Sequence, residues 1–187
     1  YNDPPAGELA AADADIQLAP SVWSQQSPFD FNQDGYADLW IVDARNDQEA
    51  QDAGAAYVVL GPVNSQMDVV RDAVATFFGT EVRAGTGAGT VLDLNGDGAF
   101  DAVVTTGNIQ IAGAAYIFHG PLEGSWLLTD AAIEIQGDGD DALSDALAAG
   151  DLDGDGLDDL LLSSIKDDDG GEDAGAVWLF YGASLVE

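Results

Sequence analysis

Three stretches of this chain share one nine-residue pattern, Asp-x-(Asp/Asn)-x-Asp-Gly-x-x-Asp, beginning at Asp30, Asp93 and Asp151. Oxygen-bearing side chains at alternate positions, followed by a glycine, describe a loop that wraps a hard cation needing six to eight oxygen ligands. The first loop offers Asp30, Asn32 and Asp34 at positions 1, 3 and 5, the Tyr36 carbonyl at position 7 and Asp38 at position 9. The second offers Asp93, Asn95, Asp97, the Ala99 carbonyl and Asp101, and the third Asp151, Asp153, Asp155, the Leu157 carbonyl and Asp159. Position 6 is Gly35, Gly98 or Gly156, where a positive φ turns the chain sharply enough for the later ligands to face the same ion. An isolated Asp/Asn/Gly surface turn would explain one copy, but three in one chain point to about three bound Ca²⁺ ions. Magnesium fits less well, because it keeps several waters.

These loops are not EF-hands. The bidentate Glu expected at position 12 is replaced by Ile41, Val104 and Leu162. Helices should flank an EF-hand loop, yet the residues that follow are the apolar runs Leu39-Trp40-Ile41-Val42, Ala102-Val103-Val104-Thr105-Thr106 and Leu160-Leu161-Leu162-Ser163-Ser164, which read as strands.

A second element recurs between the loops. It is Ala53-Gly54-Ala55-Ala56-Tyr57-Val58-Val59-Leu60-Gly61-Pro62, then Ala112-Gly113-Ala114-Ala115-Tyr116-Ile117-Phe118-His119-Gly120-Pro121, then Ala174-Gly175-Ala176-Val177-Trp178-Leu179-Phe180-Tyr181-Gly182-Ala183. A weaker third element covers Asp13 to Leu18, Asp72 to Phe77 and Asp130 to Ile135. The loops start 63 and then 58 residues apart, and the Ala-Gly strands 59 and then 62, so three similar units tile the chain. The expected organisation is an N-terminal arm at 1–12 and blade-like repeats at 13–65, 66–125 and 126–187. Each repeat holds four short strands, the first being the weak third element. Helical periodicity is nearly absent, with a helical turn or two expected only within Asp140 to Ala149. The class is all-β.

Four-stranded units of this length suggest propeller blades. The loops, together with Phe78-Gly79, Ala148-Ala149-Gly150-Asp151 and the Ala-Gly-Ala strands, resemble FG-GAP repeats, the blades of the integrin α-subunit head. The resemblance spans about residues 13–187 and is best in the third unit. The first unit departs most, with Ser27-Pro28-Phe29 where the family usually has Ala-Gly. What the resemblance implies is three antiparallel four-stranded blades, each with a Ca²⁺ loop in a rim hairpin, used structurally or in adhesion. Propellers close with about four to eight blades, so three would form an incomplete propeller or one completed by assembly.

Composition sets the partners. Four Lys/Arg against 35 Asp/Glu give a formal charge of −31, which excludes nucleic acid and disfavours anionic membranes. Three Ca²⁺ ions would offset only six of those charges, so a solvated surface in a saline, extracellular setting is expected. Hydrophobic residues at 47% suffice for a core. There is no cysteine, no membrane span and no signal peptide, and a chain that begins at Tyr1 reads as processed or excised.

The remaining candidates read as ordinary. The acidic runs Asp167 to Asp173 and Asn46 to Asp52 are expected to be solvated loops. His119, the sole histidine, is expected at a strand end rather than as a catalytic base. Trp40 and Trp178 belong to core strands, while Trp23 and Trp126 stay open as a carbohydrate platform. No nucleophile elbow, phosphate loop or other catalytic constellation is present, so the chain is not expected to be an enzyme. The expected function is an extracellular or cell-surface, calcium-stabilised structural or adhesive module. It would assemble with itself through open blade edges or bind another cell-surface protein or glycan. The alternatives are a cation-dependent ligand-recognition module and a fragment of a larger seven-bladed propeller attached to an enzyme.

Overall fold

The computed structural model describes residues 23–24, 29–107, 112–138 and 143–186. The arm at 1–12 and the element Asp13 to Leu18 lie outside the described residues. In chain order the strands are β1 (Trp23–Ser24), β2 (Leu39–Asp43), β3 (Ala55–Val59), β4 (Ala73–Phe78), β5 (Thr86–Leu92) and β6 (Asp101–Thr106). They continue with β7 (Ala114–Phe118), β8 (Gly124–Leu127), β9 (Ile133–Gln136), β10 (Leu143–Gly150), β11 (Asp159–Ser164) and β12 (Ala176–Phe180). The short α-helix α1 (Val69–Asp72) is capped by the Asp68 side chain. No helix among the described residues is long and apolar enough to cross a membrane.

The strands form three sheets, in the orders β1-β2-β3-β4-β8, β5-β6-β7-β9 and β10-β11-β12. The all-β class therefore stands, but the described sheets are not equal four-stranded blades: they hold five, four and three strands. The extra strand β8 adds to the outer edge of β4 in parallel, pairing Ala75 with Gly124 and Phe78 with Leu127, so the first sheet is not wholly antiparallel. The weak third element also takes a different place from the one expected. Asp72 to Phe77 and Asp130 to Ile135 supply β4 and β9, which pair with the preceding Ala-Gly strands β3 and β7 and so complete the sheet before them. Residues 143–149 of the expected helical turn lie in strand β10, because pairing along β11 overrides the helix preference of Ala and Leu.

One hairpin register is used three times. Leu39 faces Val59, Ala102 faces Phe118 and Leu160 faces Phe180, so each strand leaving a loop meets its Ala-Gly strand at the same offset. Period-two alternation then sends successive residues to opposite faces. Trp40, Val58 and Phe77 of the first sheet pack on Val104 and Phe118 of the second. Aromatic rings carry the contact across, with Trp40 stacked on Phe77 at 5.8 Å, Phe77 tilted against Phe118 at 4.8 Å and Phe118 edge-on to Trp126 at 6.0 Å. Such pairs contribute about 0.5–1.5 kcal/mol each beyond their buried area. The opposite face of the second sheet, with Val103, Ala115 and Ile117, packs on Leu143, Leu160 and Leu162 of the third. On the far face of the first sheet, Tyr57, Val59 and Phe78 pack against Val69 and Met67.

A glycine seam joins successive sheets. Thr86 at the start of β5 donates its N–H to the Ala53 carbonyl, and Leu143 at the start of β10 donates to the Ala112 carbonyl. Gly54 and Gly113 adopt φ of +85° and +72° and sit directly against those strand starts. A Cβ at Gly54 would lie 2.5 Å from the Thr86 carbonyl oxygen, so only glycine allows this approach. The third sheet has no sheet beyond it among the described residues. On that face Val177 and Leu179 are 61% and 40% exposed, and Tyr181 just past β12 is 45% exposed.

Candidate metal centre

Each nine-residue loop is closed by its own side chains. In the first, Asp30 accepts from the Asp34 N–H at 2.9 Å and the Gly35 N–H at 2.9 Å, Asn32 accepts from the Asp34 N–H at 3.2 Å, and Asp34 accepts from the Tyr36 N–H at 2.8 Å. Asp93, Asn95 and Asp97 repeat these bonds to Asp97, Gly98 and Ala99. Asp151, Asp153 and Asp155 repeat them again to Asp155, Gly156 and Leu157. Gly35, Gly98 and Gly156 take φ of +89°, +84° and +93°, the left-handed turn that the spacing requires. Short Asx-type bonds of this kind turn the oxygens at positions 1, 3 and 5 toward the inside of the loop.

The position-9 residues have an additional task. Asp38, Asp101 and Asp159 are fully buried. One carboxylate oxygen of each accepts from the N–H at loop position 2: Phe31 at 2.7 Å, Leu94 at 3.0 Å and Leu152 at 2.7 Å. The other oxygen accepts from the glycine that ends the Ala-Gly strand: Gly61 at 2.7 Å, Gly120 at 2.8 Å and Gly182 at 3.0 Å. Each aspartate thus ties its loop to its hairpin, a role that spacing within the loop does not reveal. The signal lay in the glycine that recurs after each Ala-Gly strand. Burial pushes the Asp101 carboxyl up, while the Gly120 N–H, nearby His119 and the Leu94 N–H pull it back. His119 Nδ1 lies 3.4 Å from an Asp101 oxygen, and the ring is 27% exposed at the strand end.

In the third loop, oxygens of Asp151, Asp153 and Asp159 lie within 4.8 Å of one another. Calcium–oxygen bonds of about 2.3–2.6 Å place ligands on opposite sides of an ion about 5 Å apart, so this all-oxygen set is the right size and chemistry for a hard cation. The second lone pair on each Asp159 oxygen remains for a metal beside the N–H bonds. Asn32 and Asn95 replace the position-3 carboxylate in the other loops, which therefore carry less negative charge.

Neighbouring loops touch. Gln33 Nε2 donates to the Gly98 carbonyl at 2.7 Å. Asp158 accepts from the Asp93 N–H at 3.0 Å through its side chain and donates its own N–H to the Asp93 carbonyl at 3.1 Å. Asp158 stands at position 8 and was not among the expected site residues, since its partner is 65 residues away.

Away from the loops, a cavity of about 520 Å³ opens between β9 and β12. Ile135, Leu143, Trp178 and Phe180 form its apolar wall, and Asp138, Asp167 and Asp168 are among its polar lining. Asp167 is buried, unlike the rest of its acidic run, and accepts from the Asp169 N–H at 3.1 Å. Trp40 is core as expected, Trp178 is partly buried, and Trp126 donates through Nε1 to the Glu123 carbonyl.

Comparison with known proteins agrees with this geometry. The family model of the FG-GAP repeat matches residues 145–180, which hold the third loop and the β11–β12 hairpin. Phosphatidylinositol-glycan-specific phospholipase D of Rattus norvegicus is 32% identical over 165 residues, covering 81% of this chain and 19% of that protein. The chain thus spans about a fifth of the length of the curated relative it matches.

Proposed function

We propose that this chain, which carries an FG-GAP repeat at residues 145–180, is a calcium-stabilised structural or adhesive module of the extracellular space that assembles with copies of itself. The observation that carries the reading is the third sheet, whose β12 edge has no outer strand among the described residues and whose outward face exposes Val177, Leu179 and Tyr181. Exposed apolar faces and bare strand edges mark association surfaces. The Asp151–Asp153–Asp159 triad and the two loops built like it support about three Ca²⁺ sites, with the third, richest in carboxylate, binding most tightly. Their role is to hold together carboxylates that would otherwise repel one another, so calcium stabilises the hairpins. The chain acts without catalysis of its own. The partner is another copy or a cell-surface protein or glycan, and neither nucleic acid nor membrane insertion suits a charge of −31.

The test is light scattering of the purified chain in calcium and then in chelator. Particles larger than the 19.3 kDa chain that dissociate on chelation are the expected result. A monomer at every concentration in calcium would overturn self-assembly.

A second reading has its own support. The matched relative is a phospholipase, and the chain corresponds to a minor part of it, so the repeats would serve as part of a larger propeller beside a catalytic domain. Phospholipase activity in the purified 187 residues would contradict both readings.

A further inference from the structure

The second and third loops share a boundary. Asp158 stands at position 8 of the third loop, between the Leu157 carbonyl at position 7 and the Asp159 carboxylate at position 9. Asp93 opens the second loop at position 1. Two hydrogen bonds clasp these half-buried residues together: the Asp93 N–H donates to Asp158 Oδ2 at 3.0 Å, and the Asp158 N–H donates to the Asp93 carbonyl at 3.1 Å. The boundary is packed as well as bonded. Leu157 Cδ2 lies 2.7 Å from where a Cβ at Gly96 would sit, and a Cβ at Gly182 would meet Leu157 at 2.7 Å and the Leu94 carbonyl at 3.1 Å.

These bonds form an unbroken path between the two ligand sets. The Leu157 carbonyl and the Asp158 N–H belong to one planar trans peptide unit, so the oxygen offered to the third site and the N–H offered to Asp93 point in opposite directions. The Asp93 carbonyl that accepts this N–H shares its own peptide unit with the Leu94 N–H, which donates to Asp101 Oδ2 at 3.0 Å. Asp101 is the buried position-9 residue of the second loop. Two peptide units therefore connect a ligand of the third loop to a ligand of the second, and hydrogen bonds in such a chain polarise one another. A Leu157 carbonyl drawn toward a cation makes the N–H of its peptide unit a stronger donor to Asp93. The return bond, from the Asp93 N–H to Asp158, holds the position-1 residue of the second loop in place.

We infer that Asp158 is a positioning residue that couples the second and third calcium sites, so that filling either one raises the affinity of the other. The inference rests on the calcium reading above and goes beyond it, since three independent sites would satisfy that reading equally well. The device belongs to this pair of loops. Position 8 is Ala37 in the first loop and Phe100 in the second, which have no side-chain acceptor, and the first and second loops meet instead through the exposed Gln33 side chain on the Gly98 carbonyl.

Calorimetric calcium titration reads the coupling. With the first loop disabled by Asp34→Ala throughout, Asp153→Ala leaves the second site alone, Asp97→Ala leaves the third alone, and neither change leaves both. The two-site chain is expected to bind with an overall affinity at least about fivefold above the product of the two single-site values. In an Asp158→Ala background that ratio falls to about one, while Asp158→Asn, whose amide oxygen still accepts the Asp93 N–H, retains most of it. Amide NMR adds a signature that a purely structural role would not give: in the Asp34→Ala/Asp97→Ala chain, filling the third site shifts the Leu94 N–H resonance of the empty second loop. This shift and the two-site ratio are both read with Asp158 in place, so they test the coupling even where Asp158→Ala fails to fold. A ratio near one with Asp158 in place means that the coupling is wrong and the calcium reading stands. A ratio that survives Asp158→Ala means that Asp158 is not the bridge. If none of these chains binds calcium, the coupling and the calcium reading are both overturned.

Discussion

Replacing Asp101 by alanine tests the structural role that this position-9 aspartate carries beside its place in the metal loop. Its two oxygens accept the Leu94 and Gly120 N–H groups at 3.0 and 2.8 Å in a fully buried setting. Deleting the carboxylate removes two charge-assisted bonds and leaves buried N–H donors without an acceptor, each costing about 1–3 kcal/mol. The expected loss is about 3–5 kcal/mol, a large share of the roughly 5–15 kcal/mol that holds a domain folded. At a urea slope of about 2 kcal/mol/M the midpoint falls by about 1.5–2.5 M. Asp97→Ala is the control, because Asp97 is exposed at position 5 of the same loop. Urea melts followed by tryptophan fluorescence, in chelator and in calcium, distinguish the two. Asp101→Ala is expected to be severely destabilised in chelator. Asp97→Ala should lose about 1 kcal/mol or less there and forfeit instead the stabilisation gained from calcium. Equal midpoints for the two variants in chelator would refute the two-bond role of Asp101.

Other consequences follow from single contacts. Gly113→Ala drives a Cβ into the Leu143 carbonyl at a φ of +72°, so it should cost more than about 2 kcal/mol, and a thermal melt matching wild type would contradict the seam. Asp158→Ala removes the acceptor of the Asp93 N–H, so terbium or calcium titration should show weakened binding at the second loop as well as the third. Burial first, then Glu134 opposite, push Tyr116 up to about 12. A raised folded value means that this stabilisation is complete below the unfolded value near 10 and is lost as pH rises through about 12. Glu134→Gln should move the spectrophotometric titration of Tyr116 downward.

The turns of the loops are legible in sequence because the bonds that close them at positions 1, 3 and 5 lie within nine residues: the spacing of Asp151, Asp153 and Asp155 and the turn at Gly156 are local facts. The strands leaving them were legible for the same reason, from their β-branched and aliphatic runs. What escaped was decided at long range. The bond from Gly61 to Asp38 spans 23 residues, and nothing near Asp38 announces it. The parallel addition of Gly124–Leu127 to β4 sets Trp126 edge-on to Phe118 of the second sheet, a contact that no local pattern announces. The element at Asp72 looked like the start of a unit because repeats fix a period but not a phase. Only its pairing with β3 shows which sheet it completes. The Ala- and Leu-rich run before Gly150 reads as helix by propensity and becomes a strand through its neighbour β11.

Calcium stoichiometry by isothermal titration calorimetry on the chelator-treated chain tests the central claim most directly. About three ions per chain are expected, with the tightest site lost in Asp153→Ala and the other two retained. A chain that binds no calcium at millimolar concentration, and melts at the same temperature with and without it, would contradict the reading of the three loops as metal centres.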